Sequence, residues 1–224
     1  MGIIMTVDPQ PRSEVRPLML GVLLLAALLV LFTTLLWVVA IDTAAFTVDR
    51  YVDELFATHR QPPLTLLFLW LTYLGKGPVI AVCALLTGTV LLWRGSRQYL
   101  VALAIALGGA EASVQLIKRA VGRARPDPHL AYHVELTFSF PSAHATLAAA
   151  FYGMLAYMIM QEVENPVQRR VALSATILMA VGIAVSRLYL GVHYLSDVAA
   201  GFLLGLSWVL VGMIAIELRA ESVE

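Results

Sequence analysis

The chain has 224 residues, 60% hydrophobic and 13% charged, with 15 basic and 15 acidic side chains and zero net charge. Soluble domains average about 25% charged residues, so this composition excludes an ordinary soluble enzyme. The charge balance also excludes a polybasic nucleic-acid surface and a long acidic tail. The single cysteine, Cys83, excludes an intrachain disulfide or a cysteine-based metal site and reads as a small buried hydrophobe.

In chain order, Arg12 and Arg16 precede a run from Leu18 to Ile41 that carries no charge. At 1.5 Å per residue this run crosses a hydrocarbon core of about 30 Å, and it is too long for the apolar core of a signal peptide. A retained first span over 17–41 is expected. Residues 42–62 alternate apolar side chains with acids and Arg50 in a helical pattern, predicting an interfacial helix. The next apolar stretch, 63–93, is too long for one straight span. It is interrupted by Gly75-Lys76-Gly77-Pro78, which should kink it or divide it into a shallow segment and a true span. Further spans are predicted over 98–122, 142–160, 171–190 and 194–218.

The expected fold is therefore all-α, an integral membrane bundle of six transmembrane helices. One domain over 17–219 carries cytoplasmic tails at 1–16 and 220–224. With both termini inside, the loops hold seven basic residues inside and eight outside. Setting aside Lys118, Arg125 and Arg187, which are candidates for a binding site, leaves seven against five and favours an outward-facing site. Gly201-Phe-Leu-Leu-Gly205 matches the small-residue contact pattern of membrane helices. Packing within one bundle and a homodimer seam both fit it, so monomer and homodimer stay open.

Polar residues in a membrane are costly and mark function. Here they gather in three segments: Lys118-Arg-Ala-Val-Gly-Arg-Ala-Arg125-Pro126, Pro141-Ser142-Ala143-His144, and Ser186-Arg187 through His193 to Asp197. In the six-span arrangement each falls at an outer helix end, so the site is expected at the outer ends of helices 3 to 6. Lys118 and Arg125 are two helical turns apart; either a continuing helix puts them on one face, or Gly122 and the Arg-Pro pair bend Arg125 back. Ser142 after Pro141 reads as a helix cap, which aims the free amides near Ala143 and His144, with the positive end of the dipole, at the same volume. His193 and Asp197 have helical i, i+4 spacing, so the carboxylate can hold one ring nitrogen and leave the other free. Three cations, a helix N-terminus, a hydroxyl and two histidines suit a phosphate group and a nucleophile with an acid.

These segments fit the three-part signature K-x6-R-P, P-S-x-H and S-R-x5-H-x3-D, and the chain from about 70 to 210 resembles the type 2 phosphatidic acid phosphatase and vanadium haloperoxidase superfamily, in its membrane lipid phosphatase branch. The resemblance implies that Lys118, Arg125 and Arg187 bind phosphate oxygens, with Ser142 and the Ala143 amide completing the cradle. It implies His193 as the nucleophile that forms a phosphohistidine, Asp197 as its orienting partner and His144 as the general acid. Ala143 departs from the family pattern, which usually has glycine there, and narrows the pocket while keeping the amide.

The implied substrate is a lipid phosphomonoester or diphosphate: phosphatidylglycerophosphate, phosphatidate or undecaprenyl diphosphate. No cofactor and no metal are expected, and the implied partners are membrane lipids rather than nucleic acid. A lipid phosphotransferase using the same intermediate, a haloperoxidase holding vanadate in the cradle, and a transporter are the competing readings. Glu111, on one stripe with Gln115 and Lys118, is expected to pair with a basic residue beside the site, and Lys76 to line the headgroup entrance. His129, His133 and Glu135 read as a solvated loop, and Phe138 and Phe140 as lipid contacts or loop anchors.

Overall fold

The computed structural model describes residues 15–41 and 44–221, and among these all regular structure is helical. The elements are α1 (Val15–Ala40), α2 (Ala44–Thr58), α3 (Pro62–Leu74), α4 (Gly77–Trp93), α5 (Arg97–Val121), α6 (Ala143–Glu162), α7 (Pro166–Tyr189) and α8 (Leu195–Glu221). Five of them, α1 and α5 to α8, are individually long and apolar enough to cross a membrane. The pair α3 and α4, bent by 55° at Gly75-Lys76, is long and apolar enough only when taken together and makes a sixth if it is one broken span. Pro78 sits in the first turn of α4, where a missing N–H costs nothing, so the chain restarts a helix there instead of continuing one.

The ends follow local chemistry. Gly122 closes α5 in the left-handed region at φ 61°, returning its N–H to the Lys118 carbonyl. α7 begins five residues earlier than expected. Asn165 caps it by accepting from the amides of Val167 (2.9 Å) and Gln168 (3.1 Å), and Pro166 takes the first position. The polar turn Gln168-Arg169-Arg170 is therefore helix and not loop.

α6 is the hub, packed against α5, α7 and α8. Its Ala145, Ala148, Ala149 and Ala150 are buried and let neighbouring backbones come close. Where lipid replaces water, such close packing rather than the hydrophobic effect holds helices together. The glycines of α8 face the same helix: a Cβ at Gly201 would lie 2.6 Å from the Ser142 carbonyl oxygen, and one at Gly205 would collide with that of Thr146. The G-x-x-x-G stripe is thus occupied within the chain. Large apolar side chains such as Leu85, Leu86, Leu178 and Trp93 point outward. The C-terminal ends of α5 and α7 and the N-terminal ends of α6 and α8 meet at one end of the bundle, covered by the loop 122–142.

Candidate active site

The loop turns on Gly122 and brings Arg123 and Arg125 back over the helix ends, so the bend, not a continued helix, unites Lys118 with Arg125. Lys118 is buried in the last turn of α5, and its Nζ donates to the carbonyls of Phe138 and Ser139. Arg125 donates from Nε to the Thr137 carbonyl (2.6 Å), from Nη1 to the Val192 carbonyl (2.6 Å) and from Nη2 to Thr137 Oγ1 (2.9 Å). Arg187, in the last turn of α7, is 1% exposed and donates to Thr72 Oγ1 at the end of α3.

Ser142 occupies the N-cap position of α6, yet its hydroxyl makes no capping bond. The cap was expected from the sequence; instead the Ser142 amide bonds the Asp197 carbonyl oxygen (3.0 Å), which ties the start of α6 to α8. The first intrahelical bond runs from Thr146 N to Ser142 O (3.0 Å), leaving the amides of Ala143 and His144 outside the ladder.

His193 stands two residues before α8, so its spacing to Asp197 is not a helical turn as read from the sequence. Gly191, at φ 67°, turns the chain between α7 and α8 and lets His193 face inward. The contact forms nonetheless, with Nδ1 3.4 Å from Asp197 Oδ2. On the other side of the ring, Arg125 Nη1 lies 3.2 Å from Nε2. An arginine only donates, so Nε2 carries the lone pair and Nδ1 the proton. Burial foremost, with the nearby Arg187 and Arg125, outweighs Asp197 and lowers the His193 pKa to about 4. The ring is neutral at pH 7.

Asp197, fully buried, also accepts from the Tyr194 amide (2.9 Å) and from Ser139 Oγ. A residue not singled out in the sequence, Arg123, donates to Asp197 Oδ1 (2.5 Å) from Nη1 and to Asp49 Oδ2 (2.8 Å) from Nη2, and stacks over the Tyr194 ring at 4.4 Å. Asp49, buried on α2, receives the Ser196 amide at 2.8 Å in the first turn of α8. The segment read as interfacial thus reaches the site through a chain of ion pairs.

A cavity of about 430 Å³ opens over this end, lined by Lys118, Arg125, Glu135, Ala143, His144 and His193 among others. Ser142 Oγ, His144 Nε2 and Arg187 Nε are buried without a hydrogen-bond partner. A native interior rarely tolerates such atoms, and an anion with several acceptor oxygens matches the two nitrogens and the hydroxyl. Glu135 departs from the solvated-loop expectation: it bridges Arg125 Nη2 (2.8 Å) and Arg187 Nη2. Burial would raise its pKa, but Arg187 and then Arg125 hold it down at about 2. Loop position gave no hint of this, because Arg125 comes from the far end of the same loop and Arg187 from α7, and only the fold brings the two together.

Glu111 also departs from its expected place beside a basic residue. It lies exposed on α5, accepts from Gln115 Nε2 (2.8 Å) rather than from a basic side chain, and borders a separate apolar cavity between α4 and α5. The polar pocket takes Gln115, Lys118 and Arg119 from α5 and not Glu111, which lies two turns before Lys118. Lys76 is exposed at the break between α3 and α4, over the Tyr73 ring. The adjoining Gly75 leaves only 3.3 Å between a built Cβ and His144 Cδ2, so the break abuts the site. Phe140 is fully buried, 6.3 Å from Phe32 ring to ring, whereas Phe138 is half exposed.

Known proteins resemble this chain in sequence and in fold. Residues 97–220 match the PAP2 superfamily. The chain is 30% identical over 185 residues to phosphatidylglycerophosphatase B of Bacillus subtilis, covering 80% of this chain and 88% of the relative. It is 39% identical over 138 residues to decaprenylphosphoryl-5-phosphoribose phosphatase of Mycobacterium tuberculosis, covering 60% and 71%. The crystal structure of a transmembrane PAP2-type phosphatidylglycerolphosphate phosphatase from Bacillus subtilis superposes with a TM-score of 0.77 at 26% identity, covering 89% of this chain and 97% of that one. The matched region contains all three polar segments that the fold brings to one end of the membrane bundle, and the chain belongs to the PAP2 superfamily, as a multi-pass membrane phosphatase.

Proposed function

We propose that this phosphatase hydrolyses a lipid phosphomonoester or diphosphate through a phosphohistidine, at a site facing the outer side of the membrane. The neutral, buried His193 with its lone pair at Nε2 inside a ring of cations carries this reading. Lys118, Arg125 and Arg187 take the phosphate oxygens together with Ser142 Oγ and the Ala143 amide, offsetting charge as the phosphoryl group transfers. Nε2 forms the N–P bond while the P–O bond to the lipid breaks, and His144 gives its proton to the leaving oxygen. Water then forms a new P–O bond as the N–P bond breaks. His144 accepts a proton from that water, which restores its acid form, and inorganic phosphate departs.

Asp197 holds Nδ1–H throughout and stabilises the positive charge that grows on the ring. The acids nearest the reaction, Asp49, Asp197 and Glu135, are each paired with arginine, which supports a reaction that uses side-chain cations in place of a metal. The apolar cavity between α4 and α5, about 670 Å³ and bordered by Ile80, Leu103 and Leu107, is a fit for a lipid tail whose headgroup lies in the polar pocket. Phosphatidylglycerophosphate, phosphatidate and undecaprenyl diphosphate all have this form.

Phosphate release from these pure lipids in detergent, with excess EDTA, tests the reading. Release from at least one lipid by the parent chain, and none by His193→Ala, is expected. Full loss in EDTA restored only by a divalent cation contradicts it.

A further inference from the structure

Glu135 is an acid placed among phosphate-binding cations. Its carboxylate meets Arg125 on one oxygen and Arg187 on the other, the fork geometry that a phosphate would use. Arg187 is 1% exposed while the Glu135 side chain is 24% exposed, so the carboxylate closes the arginine pair from the solvent side. The remaining contact, His133 Nε2 at 3.4 Å from Oε1, lies further out, on a side chain 40% exposed. It gives the carboxylate a partner at the rim. Glu135 belongs to the irregular loop 122–142, where a side chain can swing without breaking a helix.

We propose that Glu135 is a specificity-determining residue: its carboxylate is an internal anion on Arg125 and Arg187 that a doubly charged phosphate displaces and a singly charged phosphodiester does not. The inference rests on the reading that those two arginines bind the substrate phosphate. Exchanging the carboxylate for a phosphodiester returns one charge for one and costs the desolvation of the headgroup. Exchanging it for a phosphomonoester or a terminal diphosphate adds a charge against the same cations. A membrane enzyme is surrounded by phosphodiester lipids in large excess over its substrate, and an unguarded triad of cations would hold them. Glu135 supplies the discrimination that shape alone cannot, since monoester and diester headgroups share the same phosphorus and tails.

The test uses two non-hydrolysable inhibitors with the same tail, a dianionic lipid phosphonate and its singly charged monomethyl ester, competing in detergent with turnover of whichever of the three lipids the parent chain hydrolyses. The parent chain is expected to prefer the phosphonate strongly, and Glu135→Gln to bind the monomethyl ester about tenfold or more tightly than the parent does. Glu135→Asp keeps the charge and should keep the preference. An unchanged ratio of the two inhibition constants in Glu135→Gln overturns the proposal. If Glu135→Gln does not fold, a parent chain that binds both inhibitors equally overturns it alone. Arg187→Gln separates this from the reading beneath it: phosphonate affinity that does not fall in that variant means the arginines do not bind phosphate. A fall there, with a ratio indifferent to Glu135, leaves that reading standing and removes the gate.

Discussion

Arg123 and Arg125 are two residues apart in one loop and approach His193 from its two ring nitrogens. On the Nδ1 side Arg123 acts through Asp197, and every carboxylate it touches is buried and held by several donors. On the Nε2 side Arg125 meets the ring directly and shares Glu135 with Arg187, beside three polar atoms without partners. One side is closed and serves as scaffold, and the other can exchange its anion. The contrast shows that equal charges in one loop are divided by what else they can reach: fixed acids of α2 and α8, or the cavity.

Removing Arg123 should break the closed side most severely. Arg123→Ala leaves Asp49 and Asp197 buried without their shared cation, a loss of about 3–5 kcal/mol in stability. It should also lower kcat by about 10²-fold or more through a misplaced His193. Thermal unfolding and phosphate release read the two effects. Arg123→Lys, a point charge that cannot fork between two carboxylates, should recover stability before it recovers rate. Equal rates in parent and Arg123→Ala would show that the closed side does not position His193.

The acid limb of kcat/KM is next. His193 is neutral above its pKa of about 4, so below that pH the reactive form should decline about tenfold per unit. The Arg123→Lys variant, with a weaker hold on Asp197, should show this limb at higher pH because the freed carboxylate favours the imidazolium. A limb that stays put contradicts a link through Asp197. Ser139→Ala, which removes one donor to Asp197, should cost about 1–2 kcal/mol and only several-fold in rate. Substitution of Thr72, the partner of Arg187, offers no such test because it touches the exchangeable side instead.

The smallest effect lies outside the site. Asp53 on α2 is buried with Oδ1 unpartnered, and burial, only partly offset by Arg60, raises its pKa from 3.8 to about 6. A raised carboxyl pKa means stability that is complete below pH 3.8 and lost as pH rises through 6. Asp53→Asn should therefore raise Tm by about 2–4 °C at pH 8 and change it little at pH 4. An identical shift at both values would assign the effect to packing.

The sequence showed the open side better than the closed one. Lys118, Arg125, Ser142, His144, Arg187, His193 and Asp197 stand at fixed local spacings inside apolar surroundings, and the helices deliver them to one end. Arg123 was hidden because its partners, Asp49 and Asp197, are each 74 residues away. Glu135 read as loop for the same reason: its meaning comes from an arginine 52 residues on. The start of α7 carried its own cap, Asn165-Pro166, but the charged turn after it masked the apolar period. The Gly201 and Gly205 pattern announced a close contact, while only the fold identifies α6 as the surface it meets.

The central claim is that His193 Nε2 carries the phosphoryl group. Rapid acid-free quenching of the parent chain with lipid labelled in its terminal phosphate should trap label on His193, stable to alkali and lost in acid, and Glu135→Asp should trap it as well. His193→Ala should trap none. Label retained by His193→Ala, or parent chain that turns over labelled lipid without ever holding label on His193, would contradict the account.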